Sequence, residues 1–381
     1  MYHSIYLDHA ATTAVDPLVV EAMLPYFTHD YGNPSAVHRL GQHSHEALAH
    51  AREQVAAVLN ARPEEIIFTG CGSESDNLAL RGIFFAQHDT GNHIITSAIE
   101  HQAISQTCEQ LAEHFGAQVT VLPVDSYGCV DPAAVEAAIT SRTILITIMY
   151  ANNEVGTIEP IAQIGKIARA HGIPFHTDAV QAGGQLPLDM EMLDVDMLSL
   201  SAHKFYGPKG VGVLYVRRGL KLMPALTGGG QERGFRSGTE NVPYIVGLAT
   251  ALTLAYQNRE AKNRRVAEMR DRLIRGVLAT IPETYLTGHP TQRLPNNASF
   301  CFDRVTADAL LINLDLAGIA ASSGSACHAG ALDPSPVLTA MRVPRERAIG
   351  ALRLTLGNEN LPEDVDQVLG LLPPMVARLR G

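Results

Sequence analysis

Three short segments each set a reactive side chain at the end of an apolar run. The first, Gly70-Cys71-Gly72-Ser73-Glu74-Ser75-Asp76-Asn77, follows Ile66-Ile67-Phe68-Thr69 and opens a helix-period stretch from Glu74 to Ala86. The unpaired N–H groups of a helix start, reinforced by the helix dipole, hold a phosphate. Taken alone, the same residues are equally a glycine turn capped by Ser73. No Gly-Lys-Ser/Thr follows and the turn is not GxGxxG, which excludes a P-loop and a dinucleotide turn. The second segment, Phe175-His176-Thr177-Asp178-Ala179-Val180-Gln181, ends an apolar strand on a carboxylate, where open α/β sheets place their ligands. An aspartate there is also a common helix cap. The third, Ser199-Leu200-Ser201-Ala202-His203-Lys204-Phe205-Tyr206-Gly207-Pro208-Lys209-Gly210, ends a strand on a lysine and a glycine-proline loop. Desolvation at a buried strand end favours the neutral, nucleophilic amine, although a solvated lysine is the commoner case.

A phosphate cradle, a strand-end carboxylate and a lysine are together the parts that pyridoxal phosphate requires. The amine attaches the cofactor, the acid keeps its pyridine nitrogen protonated, and the cradle takes its phosphate. Two further residues carry chemical potential. Cys327 lies in Ser322-Ser323-Gly324-Ser325-Ala326-Cys327-His328-Ala329-Gly330, a run of small residues expected to form a mobile loop around a reactive thiol. Arg353 is a cation inside the apolar run Ala351-Leu352-Arg353-Leu354-Thr355-Leu356, which alternation alone leaves at even odds of facing solvent on one side of a strand.

The elements that must position these residues follow from periodicity. Apolar runs at Ile66–Thr69, 93–96, 143–150, 174–178, Met197–Ser201 and 211–216 alternate with helical stretches at 74–86, 102–114 and 161–171. This predicts crossover units and a largely parallel, helix-covered sheet in an α/β fold. After Gly238 the pattern reads as one helical stretch over 241–279, followed by a smaller α+β region. The expected division is a large domain over 15–255 and a small domain formed by 1–14 and 256–381. The 381 residues, 46% hydrophobic and 18% charged, suffice for two such cores, and a net charge of −10 provides no basic field for nucleic acid or anionic lipid. The first residues form neither a cationic start nor an apolar run, and no stretch approaches about 20 uninterrupted apolar residues, so we expect a cytoplasmic protein without a membrane partner. Five cysteines, odd in number, scattered and without a CxxC pair, predict neither a disulfide framework nor a metal site, and Cys71, Cys108, Cys129 and Cys301 are given no role.

A series of motifs runs through nearly the whole chain: Tyr6-Leu7-Asp8-His9-Ala10-Ala11-Thr12-Thr13, Gly32-Asn33-Pro34-Ser35, Glu74-Ser75-Asp76-Asn77, Glu100-His101, Asn152-Asn153-Glu154-Val155-Gly156, the Lys204 segment, Arg236-Ser237-Gly238-Thr239-Glu240-Asn241 and Ser322-Ser323-Gly324-Ser325-Ala326-Cys327. In that order they resemble the cysteine desulfurases of the nitrogenase and iron-sulfur-cluster type, within the class V, fold type I group of pyridoxal-phosphate enzymes. The resemblance implies a fold type I transferase that converts L-cysteine to L-alanine, holds the sulfur as a persulfide on Cys327 and passes it to an acceptor or iron-sulfur scaffold protein. It implies that Lys204 carries the cofactor, Asp178 pairs with its pyridine nitrogen, and His101 stacks on its ring and exchanges protons. Gln181 and Asn153 would lie near its phenolic oxygen or the substrate, and Arg353 would take the substrate carboxylate. The phosphate would sit among Gly72, Ser73, Ser201 and His203, with Thr239 reaching in from the second subunit of an obligate homodimer. Related enzymes of the group perform transamination or selenocysteine lysis, and a non-catalytic iron-sulfur assembly partner is the rival from another class. Gly72 stands where alanine is common in the group, a change expected to be harmless. His328 follows the cysteine where a small hydroxyl residue is frequent, and it has three open readings: lowering the thiol pKa, ligating a metal, or neither.

Overall fold

In the computed structural model, residues 4–324 and 334–381 are described. The strands in chain order are β1 (Ile5–Tyr6), β2 (Ile66–Thr69), β3 (His93–Ser97), β4 (Gln118–Leu122), β5 (Thr143–Thr147), β6 (Phe175–Asp178), β7 (Met197–Ser201), β8 (Gly212–Val216), β9 (Thr284–Leu286), β10 (Asn297–Phe302), β11 (Ile319–Ala320) and β12 (Ala351–Thr355). Seven of them form one sheet in the order β2-β8-β7-β6-β5-β3-β4. Helices cover both faces, so β2, β3, β6, β7 and β8 are buried at every position, as their continuous apolar runs require.

The sheet is mixed rather than uniformly parallel, because β8 runs antiparallel to both β7 and β2. Only a short loop separates Ser201 from Gly212, too little chain for the helical crossover that a parallel return needs. Reversing direction twice leaves β2 pointing the same way as β7, and its C-terminal end joins those of β5, β6 and β7 along one rim. The edge strand β4 has no counterpart in the sequence reading. Its alternating, half-exposed pattern, with Val121 56% exposed, lacks the buried run that marked the others.

The single helix expected over 241–279 is two, Val242–Tyr256 and Arg259–Thr280. Asn258 breaks it in the left-handed region at φ 55°, a conformation asparagine tolerates better than most residues. The first helix buries Ile245, Leu248 and Leu252 in the core of the large sheet. The second buries Val266, Leu273 and Val277 in a separate core with Phe300, Phe302, Leu352 and Leu354 of the antiparallel sheet β12-β10-β9. Ile5 and Leu7 complete that second core, with β1 pairing parallel to β11. Among the described residues, no helix is long and apolar enough to cross a membrane.

Candidate active site

The common rim of β2, β5, β6 and β7 gathers the candidate residues. Asp178 and Ser201 are the last residues of β6 and β7, His203 and Lys204 occupy the turn Ala202–Lys204 directly after β7, and Gly72 and Ser73 start the helix Gly72–Gln87 after β2. His101 precedes the helix Gln102–Phe115, which follows β3. All of these, with Asn153, Gln181 and Arg353, line one cavity of about 800 Å³. Residues dispersed over most of the chain thus share one wall.

The N-terminal segment closes that cavity. Lys204 Nζ donates to the carbonyls of Ala10 (2.8 Å) and Ala11 (2.7 Å), and Gln181 Nε2 donates to the same Ala10 carbonyl at 2.9 Å. His203 Nδ1 meets Thr12 Oγ1 at 3.1 Å, while burial, aided by Lys204 and Lys209, lowers its pKa to about 4 and keeps the ring neutral. Asp178 is 6% exposed and accepts the Val180 N–H at 2.9 Å. Burial raises its pKa, against the opposing pull of His101 and Lys204. His101 lines the cavity and also caps its helix, with Nδ1 accepting the Ala103 N–H at 3.1 Å.

Arg353 is 2% exposed, which removes the solvent-facing alternative. Its Nη2 pairs with Asp8 Oδ1 at 2.7 Å and its Nη1 donates to the Asn153 carbonyl at 2.9 Å. The buried Nε has no partner among the described residues, so the guanidinium is held in place with donor capacity remaining. Asp8 appeared in the sequence reading only as part of a motif; nothing local signals a carboxylate whose partner lies 345 residues away.

The cradle differs from expectation at one point. The cap of the helix Gly72–Gln87 is Cys71, whose Sγ accepts the Glu74 N–H at 3.4 Å, and not Ser73. Cys71 and Cys108 both line the cavity, but only Cys71 is exposed; Cys108 and Cys301 are buried, with thiols pushed by desolvation up to about 12. Glycine fits its place at position 72. A Cβ there would lie 2.9 Å from Val180 Cγ2 and 3.2 Å from Ser201 Cβ, so the floor of the cradle admits a bare backbone. The Gly72 and Ser73 amides, the first two of the helix, have no partner among the described residues, so the cradle fits a phosphate. Thr239 does not line the cavity of its own chain.

Cys327 and His328 lie outside the described residues. Gly324, just before that stretch, lines the cavity, and Ser322 bridges to Arg353 through backbone hydrogen bonds. Glu154 contacts both flanks: Ser335 Oγ donates to its Oε2, and Gly324 packs against its side chain. Two acids at the cavity, the buried Asp76 and the half-buried Glu100, were missed as site residues. Their side chains read as ordinary members of a helix start and a turn until the fold brings them beside Asp178.

A profile of the family described as Aminotransferase class-V matches residues 5–368. The chain is 53% identical over 378 residues to a Methanosarcina thermophila protein named cysteine desulfurase IscS, covering 99% of this chain and 93% of that one. It is 49% identical over 377 residues to a cysteine desulfurase of Nostoc sp., covering 99% and 94% of the two chains. Among solved structures, a NifS-like protein superposes with a TM-score of 0.93 at 37% identity, covering 98% of this chain and 100% of that one. A NifS-like protein from Rickettsia africae gives 0.87 at 31% identity, with 98% and 100% coverage. The lysine, carboxylate and phosphate cradle derived from geometry are thus set in a chain that, over almost its whole length, belongs to the class-V aminotransferase family.

Proposed function

We propose that the protein is a pyridoxal-phosphate-dependent cysteine desulfurase, converting L-cysteine to L-alanine and a persulfide on Cys327. The observation that carries this reading is the placement of Lys204, Asp178, His101 and Arg353 on one cavity beside an open helix-start cradle. Full-length likeness to proteins named cysteine desulfurase supports it. When bound, pyridoxal phosphate would supply an aldehyde for amine condensation and an electron-poor ring that accepts the electron pair released at the substrate Cα.

The chain's own residues divide the remaining tasks. Gly72, Ser73, Ser201 and His203 would hold the phosphate, and Asp178 the pyridine nitrogen. Gln181 and Asn153 would lie near the cofactor's phenolic oxygen or the substrate, with the Gln181 amide oriented by the Ala10 carbonyl. Arg353, its charge balanced by Asp8 and its plane fixed by the Asn153 carbonyl, binds the substrate carboxylate. Lys204 Nζ takes the proton from the substrate Cα and His101 exchanges protons beside it. The Cys327 thiolate attacks the substrate sulfur; the S–S bond forms as the C–S bond breaks, and the carbon fragment leaves, after protonation, as alanine. A sulfur acceptor or iron-sulfur scaffold protein then removes the terminal sulfur. Thr239, absent from its own cavity wall, would complete the phosphate site of a neighbouring subunit in a homodimer. The cytoplasmic setting is part of the same proposal.

The test is direct. The purified protein is expected to show visible absorbance from a lysine-bound cofactor and to release alanine and sulfide in equal amounts when cysteine and a reductant are added. Keto acid in place of alanine would establish a transaminase instead.

A further inference from the structure

Beside Asp178 lie two carboxyl groups that the proposed reaction does not use. Asp76, on the helix Gly72–Gln87, is 1% exposed; Ser199 hydrogen-bonds its carboxyl, the one donor opposing the effect of burial, and its Oδ1 has no hydrogen-bond partner among the described residues. Glu100, between β3 and the helix Gln102–Phe115, accepts Ser97 Oγ–H (2.6 Å) and Met149 N–H (3.0 Å) on Oε1, while its shielded Oε2 has no partner. Both line the cavity, and both are close enough to Asp178 to feel its charge.

The groups facing the cluster supply little compensation. His176 of β6 sits 3.7 Å from Asp76, but its two ring nitrogens are engaged by Thr147 Oγ1 (2.9 Å) and Ser199 Oγ (3.0 Å), and burial lowers its pKa to about 3. It is a neutral ring. Arg353 is committed to Asp8, and Glu159, farther along, adds another buried carboxyl rather than a cation. His101 and Lys204 act on Asp178, which also accepts a backbone N–H. Carboxyl groups that line one cavity and act on one another's charge in a low-dielectric setting do not all ionise, and the charge settles where donors and cations stabilise it.

We propose that Asp76 and Glu100 are positioning residues for Asp178: each remains a neutral carboxylic acid, so the cluster carries a single negative charge and that charge stays on Asp178. The physical trend agrees, since burial raises Asp76 well above the usual carboxylate range and Glu100 to about 8. The consequence for the site rests on the cofactor reading above: one carboxylate faces one protonated ring nitrogen, with no second charge competing for its proton.

Infrared difference spectra of the purified full-length protein near pH 7 test this directly. Subtracting Glu100→Gln, and separately Asp76→Asn, from wild type is expected to isolate one C=O stretch of a protonated carboxyl in each case. Loss of carboxylate stretches instead would overturn the proposal, and either variant suffices if the other does not fold. A second reading uses the pH titration of the visible band of the bound cofactor. Wild type and Glu100→Gln are expected to share one midpoint, and a displacement of about one pH unit or more, some 1.4 kcal/mol of altered charge interaction, would overturn the assignment. Were wild type to show no visible band, the cofactor reading would fail while the infrared result still decided the protonation of Asp76 and Glu100.

Discussion

In the proposed reaction Asp178, Lys204 and Cys327 divide the chemistry in ways that single substitutions separate. Asp178→Asn is expected to bind pyridoxal phosphate but to lose more than about tenfold in turnover, about 1.4 kcal/mol, because an unprotonated ring nitrogen is the poorer electron sink. Steady-state rates with cofactor-loaded protein check it, and a variant above a tenth of wild-type turnover contradicts the role. Lys204→Ala should abolish the visible absorbance. Cys327→Ser should keep it, still respond spectrally to cysteine, and yield no persulfide to an alkylating reagent, since a serine hydroxyl has far too high a pKa to replace the thiolate. Undiminished sulfide release by Cys327→Ser would remove the desulfurase assignment and leave the cofactor assignment standing. Gly72 tests the cradle at atomic scale. With Val180 Cγ2 only 2.9 Å from where an alanine Cβ would stand, Gly72→Ala is expected to weaken cofactor binding by about tenfold, and Val180→Ala to restore it in the double variant. Equal affinity in the single variant would show that Val180 yields freely.

At the scale of the elements, the rim of parallel strand ends places Asp178 and Lys204, and β6 also places His176 in a fully buried position. Its lowered pKa, about 3 through desolvation, couples protonation to folding. The unfolded chain takes up a proton at this residue near pH 6.5 and the folded chain does not until about pH 3, so stability is full above pH 6.5 and declines as pH falls through that window. His203 adds to the same decline over the interval down to about 4. Glu100 and Glu159, raised by burial to about 8, act in the opposite direction over the same interval, so the readout is the difference between proteins: between about pH 7 and 4, His176→Gln, which cannot protonate, should lose less in thermal midpoint, or gain more, than wild type. A slope unchanged in that variant would place the acid sensitivity elsewhere. The elements most legible in the sequence were the buried ones: β2, β6 and β7 lie within a residue of where their apolar runs end. The half-exposed edge strand β4, whose apolar residues alternate with polar ones, and the break at Asn258, marked by neither glycine nor proline, were not legible because neither leaves a continuous apolar run.

For the whole molecule, the proposal with the widest reach is that two chains complete one another's phosphate sites. If Thr239 serves the neighbouring subunit, diluting the protein until it dissociates should release pyridoxal phosphate, with dissociation and loss of visible absorbance following one concentration dependence. A cofactor-loaded monomer in sedimentation would remove the shared site. The sequence by itself determined the order and chemical identity of the parts: a glycine-rich turn at a helix start, a carboxylate and a lysine at strand ends, and a cysteine among small residues. These are local features, written in residues adjacent along the chain, and they marked the α/β class and the cofactor chemistry together. Tertiary structure alone decided the partnerships that span the chain. Asp8 meets Arg353, the carbonyls of Ala10 and Ala11 meet Lys204, and Val180 sets the size limit at Gly72. It also decided that Asp76 and Glu100 lie beside Asp178. Contacts of this kind depend on strand order and on the antiparallel return of β8, and the free energy that places charges near one another is a property of distance in space and burial, neither of which is carried by any single stretch of sequence.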